Sequence, residues 1–450
     1  MPEINPAGDI PARKARLEQI VADLLAEAKR QGASQAEAGA SSDDGLSLTV
    51  RLGEVETIER TRDNALGVTV YFGHRKGSAS TSDFSVEAVR ETVEAACRIA
   101  RQTQEDPCAG LADAALMAQE IPDLDLYHPW GIGVEQAEAL ALECETAARD
   151  ADERITNSEG ATLNSHDGVH VYGNSHGFIG GYPSSRHSLS CAVVAEDASG
   201  MQRDYWYTVA RRPGDLDAPE VVGLKAAERT TARLGARRLD TRQAPVLFRA
   251  DVAVGLLRSL IGAIRGASLY RRASFLLDHL NRQVFPDFVH IHENPLLPGG
   301  LASAPFDNEG VATRSRDLVS EGVLRGYVLD HYSACRLGMQ TTGNAGGVRN
   351  LTIDSGDLDR HGLMEAMDTG LIVTEVMGQG VNIVTGDYSR GAAGFWVEQG
   401  QVQYPVQEIT VAGNLRDMFL GLRAVGTDTD VPGSTRTGSW LIERMTIAGE

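Results

Sequence analysis

The chain has 450 residues, 42% of them hydrophobic and 23% charged, which is enough for two or three domains with cores of their own. Its 62 acidic side chains outnumber its 42 basic ones and give a formal charge of −20. Such a charge repels phosphate backbones, so direct binding to nucleic acid is disfavoured.

Neither a secretory signal nor a membrane span is expected, because the N-terminal sequence has no apolar core and no apolar run is long enough to cross a bilayer. The five cysteines are scattered, odd in number and without a C-x-x-C pair: Cys97, Cys108, Cys144, Cys191 and Cys335. This pattern predicts reduced thiols in a cytoplasmic protein.

The first 110 residues combine helical and alternating patterns. Apolar residues at helical spacing predict helices over 12–30 and 86–100. Between them, alternation predicts three strands, over 46–52, 55–60 and 66–72. We therefore expect an α+β domain over residues 1–110, with helices packed on an antiparallel sheet.

A Pro- and Asp-punctuated connection, 106–129, leads to a predicted helix over 134–150. Strand-like segments follow over 154–211, and a helix is predicted over 219–234. These elements predict a middle α+β domain over residues 111–240. The basic stretch that follows, 233–242, is interpreted as a solvated linker.

The last predicted domain, residues 241–450, opens with a short strand, 246–248, and an apolar helix, 252–264. Short strands separated by glycines follow to the end of the chain. This pattern predicts a β-rich domain, built as a barrel or a sandwich.

Two histidine pairs are candidate metal ligands. His166 and His170 lie four apart, but Gly168 and the apolar alternation around them predict a strand, where the spacing of a helical zinc motif does not apply. His290 and His292 lie two apart on a predicted strand, so their side chains point the same way. We keep this second pair as a weak candidate, against the commoner alternative of surface histidines.

A long C-terminal segment, 369–415, reads TGLIVTEVMGQGVNIVTGDYSRGAAGFWVEQGQVQYPVQEITVAGNL. Together with GLASAPFDNEGV at 300–311, GNAGG at 343–347 and RKGSASTSD at 75–83, it resembles the TldD/PmbA family of metallopeptidase-complex subunits. The resemblance runs from about residue 12 to the end and is closest to the PmbA branch, also called TldE.

In this family, TldD-like chains carry H-E-x-x-x-H on the first helix of the C-terminal domain and a late cysteine as a further ligand. In the present chain the resemblance puts these positions at Arg258, Ser259, Ala263 and Thr437. Arginine is a permanent cation without a lone pair, and alanine has no ligand atom. Serine does not replace the carboxylate as general base for a metal-bound water. We therefore expect no catalytic residue, no metal and no cofactor in this chain.

The resemblance implies a cytoplasmic heterodimer with a TldD-like subunit that holds zinc and cleaves extended or unfolded peptides. Implied roles are the maturation of peptide-antibiotic precursors and the degradation of an antitoxin, and the resemblance leaves open whether the isolated chain forms homodimers. A β-rich half could bind an extended peptide by strand addition. The expected groove residues are Gly378, Gly380, Tyr388, Ser389, Arg390 and Gly391.

Two alternatives remain open. The chain could be an autonomous metallopeptidase with an unorthodox site that uses His290 and His292. It could instead be a regulatory binding protein without proteolytic activity, of the kind described as a modulator of DNA gyrase.

Overall fold

The N-terminal half of the protein is an antiparallel sheet with helices on one face. The computed structural model describes residues 10–429 and 432–449. Short 3-10 turns lie at Ala114–Leu116 and Pro213–Asp215. The helices and strands of this half are α1 Ile10–Arg30, α2 Val86–Gln102, α3 Val134–Asp150, α4 Pro219–Thr231, β1 Gln35–Arg51, β2 Glu54–Phe72, β3 Arg75–Thr81, β4 Ile155–Asn174, β5 Ile179–Asp197 and β6 Gly200–Ala210.

One sheet with the strand order β3-β2-β1-β4-β5-β6 joins the predicted first and middle domains. The joining pair is β1 with β4, which are paired from Glu37↔Asn174 to Val50↔Ala161. Alternate residues of β1 face two neighbouring cores, one under α1 and α2 and the other under α3 and α4. Successive strand residues point to opposite faces of a sheet, and the β1 residues in both cores are all even-numbered. The four helices that cover these cores therefore lie on the same side of the sheet.

The sequence prediction of separate strands over 55–60 and 66–72 is wrong. Both segments belong to β2, which is continuous from Glu54 to Phe72 and pairs with β1. The part of β2 from Glu56 to Ala65 is exposed on both faces, so it lacks the alternation of buried and polar residues that marks a strand. Its polar residues suggested a break where backbone pairing continues.

The C-terminal half contains more strands, and they are shorter. Its elements are α5 Ala250–Ile264, α6 Gly266–Tyr270, α7 His331–Arg336, α8 Arg360–Met367, α9 Leu415–Leu420, β7 Arg242–Phe248, β8 Ile291–Glu293, β9 Arg316–Ser320, β10 Val323–Leu324, β11 Leu351–Ile353, β12 Gly370–Met377, β13 Asp387–Glu398, β14 Gln401–Asn414, β15 Leu422–Val425, β16 Thr435–Arg436 and β17 Trp440–Ala448.

A closed barrel forms the centre of this half. Its strand order is β14-β13-β12-β7-β17, and β17 pairs back onto β14 at Val411↔Ile447. Phe248 on β7 and Trp440 on β17 are fully buried in the large core that the barrel shares with α5. A second sheet, β10-β9-β8-β11-β16, packs against the same core. The predicted α+β class with a β-rich, barrel-like C-terminal domain is confirmed.

The basic stretch 233–242 is not a solvated linker, contrary to the sequence interpretation. The Arg233 guanidinium lies 2.6 Å from a carboxylate oxygen of Glu375 on β12. Arg237 stacks over the ring of Tyr404, with 4.9 Å between the guanidinium carbon and the ring centroid. The stretch therefore fastens α4 to the barrel through contacts that arise only in the folded chain.

The prediction that all cysteines are reduced is also wrong. Cys108, in the connection after α2, is bonded to Cys335 in α7. Cys97, Cys144 and Cys191 are free and buried. No spacing rule could reveal the pair, because 227 residues separate the two cysteines. The bond ties the N-terminal half to the C-terminal half.

We predict that Cys335→Ser lowers the free energy of unfolding by about 2–4 kcal/mol under non-reducing conditions, because the open chain gains entropy when unfolded. Denaturation by urea with and without dithiothreitol checks this. The reductant should destabilise the wild-type chain and leave the variant unchanged. Alkylation of both thiols in the unreduced folded protein would contradict the bond.

The cytoplasmic location stays a prediction. Among residues 10–429 and 432–449, none of the helices has the length and apolar character needed to cross a membrane.

Candidate functional site

Helix α5 carries three of the four residues to which the sequence resemblance assigns the family's metal motif. Its apolar face is buried in the barrel core and includes Ala263, which is fully buried. Arg258 lies on the exposed face, and the Ser259 hydroxyl donates a hydrogen bond to the Gly255 carbonyl oxygen at 3.0 Å. None of these three side chains supplies an imidazole, carboxylate or thiolate.

The fourth position, Thr437, is fully buried just before β17. Its hydroxyl donates to the Gly438 carbonyl at 2.9 Å and accepts from the Trp440 indole N–H at 2.8 Å. Both hydrogen-bonding roles of the hydroxyl are therefore occupied within the core. The residues at the motif positions do not fit a catalytic metal of the family type.

Arg258 on the exposed side of α5 acts electrostatically on Tyr207 of the N-terminal sheet. Burial raises the pKa of the Tyr207 phenol on β6, with Tyr205 adding to the shift, whereas the charges of Arg258 and Arg186 oppose it. Arg258 therefore lies within electrostatic reach of Tyr207 on β6. A divalent cation beside Arg258 would be repelled by this permanent cation.

A cavity of about 280 Å³ lies between the two halves, next to the N-terminal end of α5. Its side chains are mostly charged: Asp204, Lys225, Glu228, Arg229, Arg233, Arg249, Asp251, Arg360 and Asp428. Arg229 reaches Asp204 at 3.2 Å and Asp251 at 3.0 Å, so it bridges the two halves. These carboxylates hold several of the cations in place, so the cavity wall is polar and cross-linked by ion pairs.

The predicted groove glycines have local structural reasons. A Cβ on Gly380 would lie 1.6 Å from the Ser389 carbonyl oxygen, so only glycine permits this approach. The Ser389 N–H donates to the Gly380 carbonyl at 2.7 Å. Gly378 has a φ of +79°, which glycine adopts without strain.

The remaining groove residues lie along β13. The Tyr388 side chain is buried against Phe248, whereas Ser389 is exposed and Arg390 donates to the Met377 carbonyl at 3.2 Å. Gly391 has β12 on one side and β14 on the other. A peptide cannot add as a strand at Gly391, so any contact there must use the exposed face of the barrel. The groove remains a prediction.

The structure brings the second histidine pair together with two carboxylates. His290 Nδ1 lies 2.7 Å from an oxygen of Asp354, and His290 Nε2 lies 2.9 Å from Asp317. His292 Nδ1 lies 3.6 Å from the other oxygen of Asp354. Within 10–429 and 432–449, the three side chains His290, His292 and Asp354 are the single group of metal-ligand type that converges, with ligand atoms within 4.8 Å of one another.

The first histidine pair has a different setting. His166 and His170 lie on β4, as the glycine and the alternation predict. Burial lowers the pKa of the His170 imidazole, and the negative charge of Asp43 opposes this shift. This pair joins no convergent group in the part of the chain that the structure describes.

A partly buried group of acids and tyrosines between the two halves was not predicted from the sequence. Glu37 on β1 accepts hydrogen bonds from Tyr71 at 2.8 Å and from Tyr172 at 2.9 Å. Glu309, which follows β8, accepts the His331 backbone N–H at 2.8 Å. The members come from distant segments of both halves, so no local motif marks the group.

We predict that stability falls with rising pH because of Glu309. Burial raises the pKa of its carboxyl to about 8, from an ordinary value of 4.5. The folded chain then holds a proton that the unfolded chain releases, so stability is fully present below 4.5 and declines as pH rises to about 8. Glu309→Gln should flatten the dependence of the urea midpoint on pH between these values. An unchanged slope would contradict the assignment.

The architecture, a long helix-covered sheet followed by a barrel, is that of a known family of proteins. Family models match 36–100 as PmbA/TldA metallopeptidase domain 1, 127–234 as the central domain and 241–449 as the C-terminal domain. The chain belongs to the PmbA/TldD family. These matches leave the predicted domain boundaries as predictions.

Known relatives cover the whole chain. Metalloprotease PmbA of Escherichia coli O157:H7 is 50% identical over 443 residues, which is 98% of each chain. The PmbA homolog of Haemophilus influenzae is 49% identical over 451 residues, covering 100% of this chain and 99% of its own. The TldD homolog of the same organism is 20% identical, covering 86% and 87%.

A solved structure has the same fold over nearly the full length. A proposed modulator of DNA gyrase from Bacteroides thetaiotaomicron superposes with a TM-score of 0.91 at 27% identity. The similarity covers 96% of this chain and 99% of that chain. The two chains therefore share one fold over nearly all of both lengths.

Proposed function

We propose that this chain is the non-catalytic subunit of a two-subunit metallopeptidase. Its partner is a TldD-like chain that holds the zinc, and the complex cleaves extended or unfolded peptides such as peptide-antibiotic precursors or an antitoxin. One observation carries the proposal. The chain matches the family over three domains, and the sequence resemblance assigns Arg258, Ser259, Ala263 and Thr437 to the positions of the metal motif.

The physical support lies in the surroundings of these residues. The permanent positive charge of the exposed Arg258 disfavours a divalent metal beside it, while it suits carboxylates and carbonyl oxygens of a peptide. Ala263 and Thr437 are buried in the packed core, so neither position leaves space for a metal with a water ligand. These side chains stabilise the chain and do not perform hydrolysis.

The division into two kinds of subunit has support from the relatives. Haemophilus influenzae has both a PmbA homolog and a TldD homolog, and this chain is far more similar to the former. Two distinct chains in one organism suit a heterodimer in which one contributes the metal and the other contributes binding surface. In this arrangement, the chain would orient the peptide with the charged cavity and the exposed face of β13.

The proposal is tested by purifying this chain and the TldD-like chain of the same organism, alone and together. The expected result is a stable heterodimer that cleaves an unstructured peptide, with no cleavage by this chain alone. A complex prepared with a metal-motif variant of the partner should assemble and lack activity. That control separates assembly from catalysis.

Two other outcomes would overturn the proposal in different directions. Zinc-dependent cleavage by the isolated chain would favour the autonomous metallopeptidase, for which the convergence of His290 and His292 is the specific observation. A heterodimer that binds peptides without cleaving them would favour a regulatory binding protein, the function suggested by the gyrase-modulator name of the Bacteroides thetaiotaomicron protein.

A further inference from the structure

We propose that His290, His292 and Asp354 form a surface site for a divalent first-row transition metal of the zinc type. The site lies on the β10-β9-β8-β11-β16 sheet, whereas the motif helix α5 is a separate element that packs on the barrel strand β12. The inferred site does not rest on the proposed function.

Strand pairing explains why these side chains meet. Antiparallel pairing sets Ile291 on β8 opposite Ile353 on β11, and the Asp354 N–H donates to the His290 carbonyl at 3.1 Å. Asp354 therefore sits across from His290. His292 lies two residues further along β8, so its ring is on the same face as that of His290, with 4.9 Å between the ring centroids.

The orientation of the rings is that of a ligand set. The Nδ1 atoms of both histidines face the same carboxylate, that of Asp354, at 2.7 and 3.6 Å. His292 Nδ1 is buried and has no hydrogen-bond partner among the described residues. A cation between the two Nδ1 atoms and the carboxylate would use this nitrogen, which otherwise remains unsatisfied.

Asp317 would support the site by binding a ligand histidine and not the metal itself. It contacts His290 Nε2 at 2.9 Å, on the ring atom opposite the one that faces Asp354. A metal-bound histidine usually donates its other N–H to a carboxylate, which fixes the tautomer and the ring orientation. This contact would leave Nδ1 of His290 free to bind the metal.

The spacing of the ligand atoms and the type of donor atom indicate the class of metal. The ligand atoms lie within 4.8 Å of one another, and bonds of about 2.0–2.2 Å to zinc would draw them together by a small movement. Imidazole nitrogen suits zinc, copper, nickel and cobalt, whereas magnesium and calcium prefer oxygen ligands. The three side chains are partly exposed, at 36%, 31% and 51%, so a fourth position is open to water.

The competing arrangement is a protonated His290 clamped between Asp317 and Asp354, with no metal. Titration of the metal-free full chain with zinc by calorimetry distinguishes the two. We expect one equivalent to bind, and cobalt to give the visible absorption of a site with nitrogen ligands. His292→Ala should abolish this binding, and Asp317→Asn should weaken it about 10- to 100-fold.

A matched control is His361→Ala, because His361 is an exposed histidine that pairs with Glu365 on α8, outside the cluster. This variant should bind zinc as the wild-type chain does. Absence of stoichiometric binding in the wild-type chain, or equal binding by the His292 variant, would overturn the site. Because the readout is metal content of the isolated chain, its failure leaves the test of peptide cleavage unaffected.

Discussion

Replacing Asp204 by asparagine is expected to lower the free energy of unfolding by about 3 kcal/mol. Asp204 is only 4% exposed and holds two guanidinium groups, those of Arg229 at 3.2 Å and Arg233 at 3.5 Å. The neutral variant leaves both cations with less compensation in a desolvated setting. The loss lies at the lower end of the range for a broken buried pair because Arg229 keeps Asp251 and Arg233 keeps Glu375.

The measurement is the shift of the chemical-denaturation midpoint relative to the wild-type chain. Glu159→Gln is the matched control, since Glu159 pairs with Arg203 on the same strand as Asp204, but with both side chains about half exposed. Its effect should stay below about 1 kcal/mol. Equal effects of the two variants would show that the network between the halves contributes no more than a surface ion pair.

A second large loss, of about 3–5 kcal/mol, is expected for Glu293→Gln. Glu293 ends β8, is 2% exposed, and accepts hydrogen bonds from Arg316 at 2.8 Å, from the Asn344 side chain at 2.9 Å and from the Arg349 backbone N–H at 2.9 Å. Glutamine removes the charge that compensates Arg316. It also replaces one acceptor oxygen by a donor that would face other donors.

The same denaturation experiment tests this prediction. Glu365→Gln serves as its control, because the Glu365 carboxylate pairs with His361 at an exposed surface of α8. The Glu365→Gln substitution should change the free energy of unfolding very little. A loss below about 1 kcal/mol for the Glu293 variant would contradict the account of a buried, fully used carboxylate.

Local periodicity predicted much of the N-terminal half. The apolar spacing in 12–30, 86–100 and 134–150 corresponds to α1, α2 and α3, since amphipathic helices on one face of a sheet leave a clear pattern. The exposed middle of β2 has no apolar pattern, which is why the sequence predicted two strands where there is one. Backbone pairing does not require an apolar side chain.

Contacts between distant segments could not be predicted in this way. Cys108 and Cys335 are neighbours only after both halves have folded, and the same holds for Arg229 with Asp251 and for Arg233 with Glu375. Barrel closure through β14 and β17 likewise depends on register between segments that no local pattern specifies. The class of fold could be predicted, and these long-range contacts could not.

Some features of the candidate sites could likewise be predicted from the sequence, and others could not. The absence of a catalytic metal site could be predicted from residue identity alone, once the family resemblance assigned the motif to Arg258, Ser259, Ala263 and Thr437. The spacing of His290 and His292 predicted a shared face, but Asp354 and Asp317 come from neighbouring strands and were not visible in the sequence. The metal-ligand geometry is therefore a product of tertiary structure.

The central claim is that this chain supports peptide cleavage without performing it. The most direct measurement is the rate of cleavage of an unstructured peptide by the isolated chain at saturating zinc, compared with the same chain in complex with its TldD-like partner. The account predicts cleavage by the complex and none above background by the isolated chain, even with zinc bound at His290 and His292. Zinc-dependent cleavage by the isolated chain would contradict it.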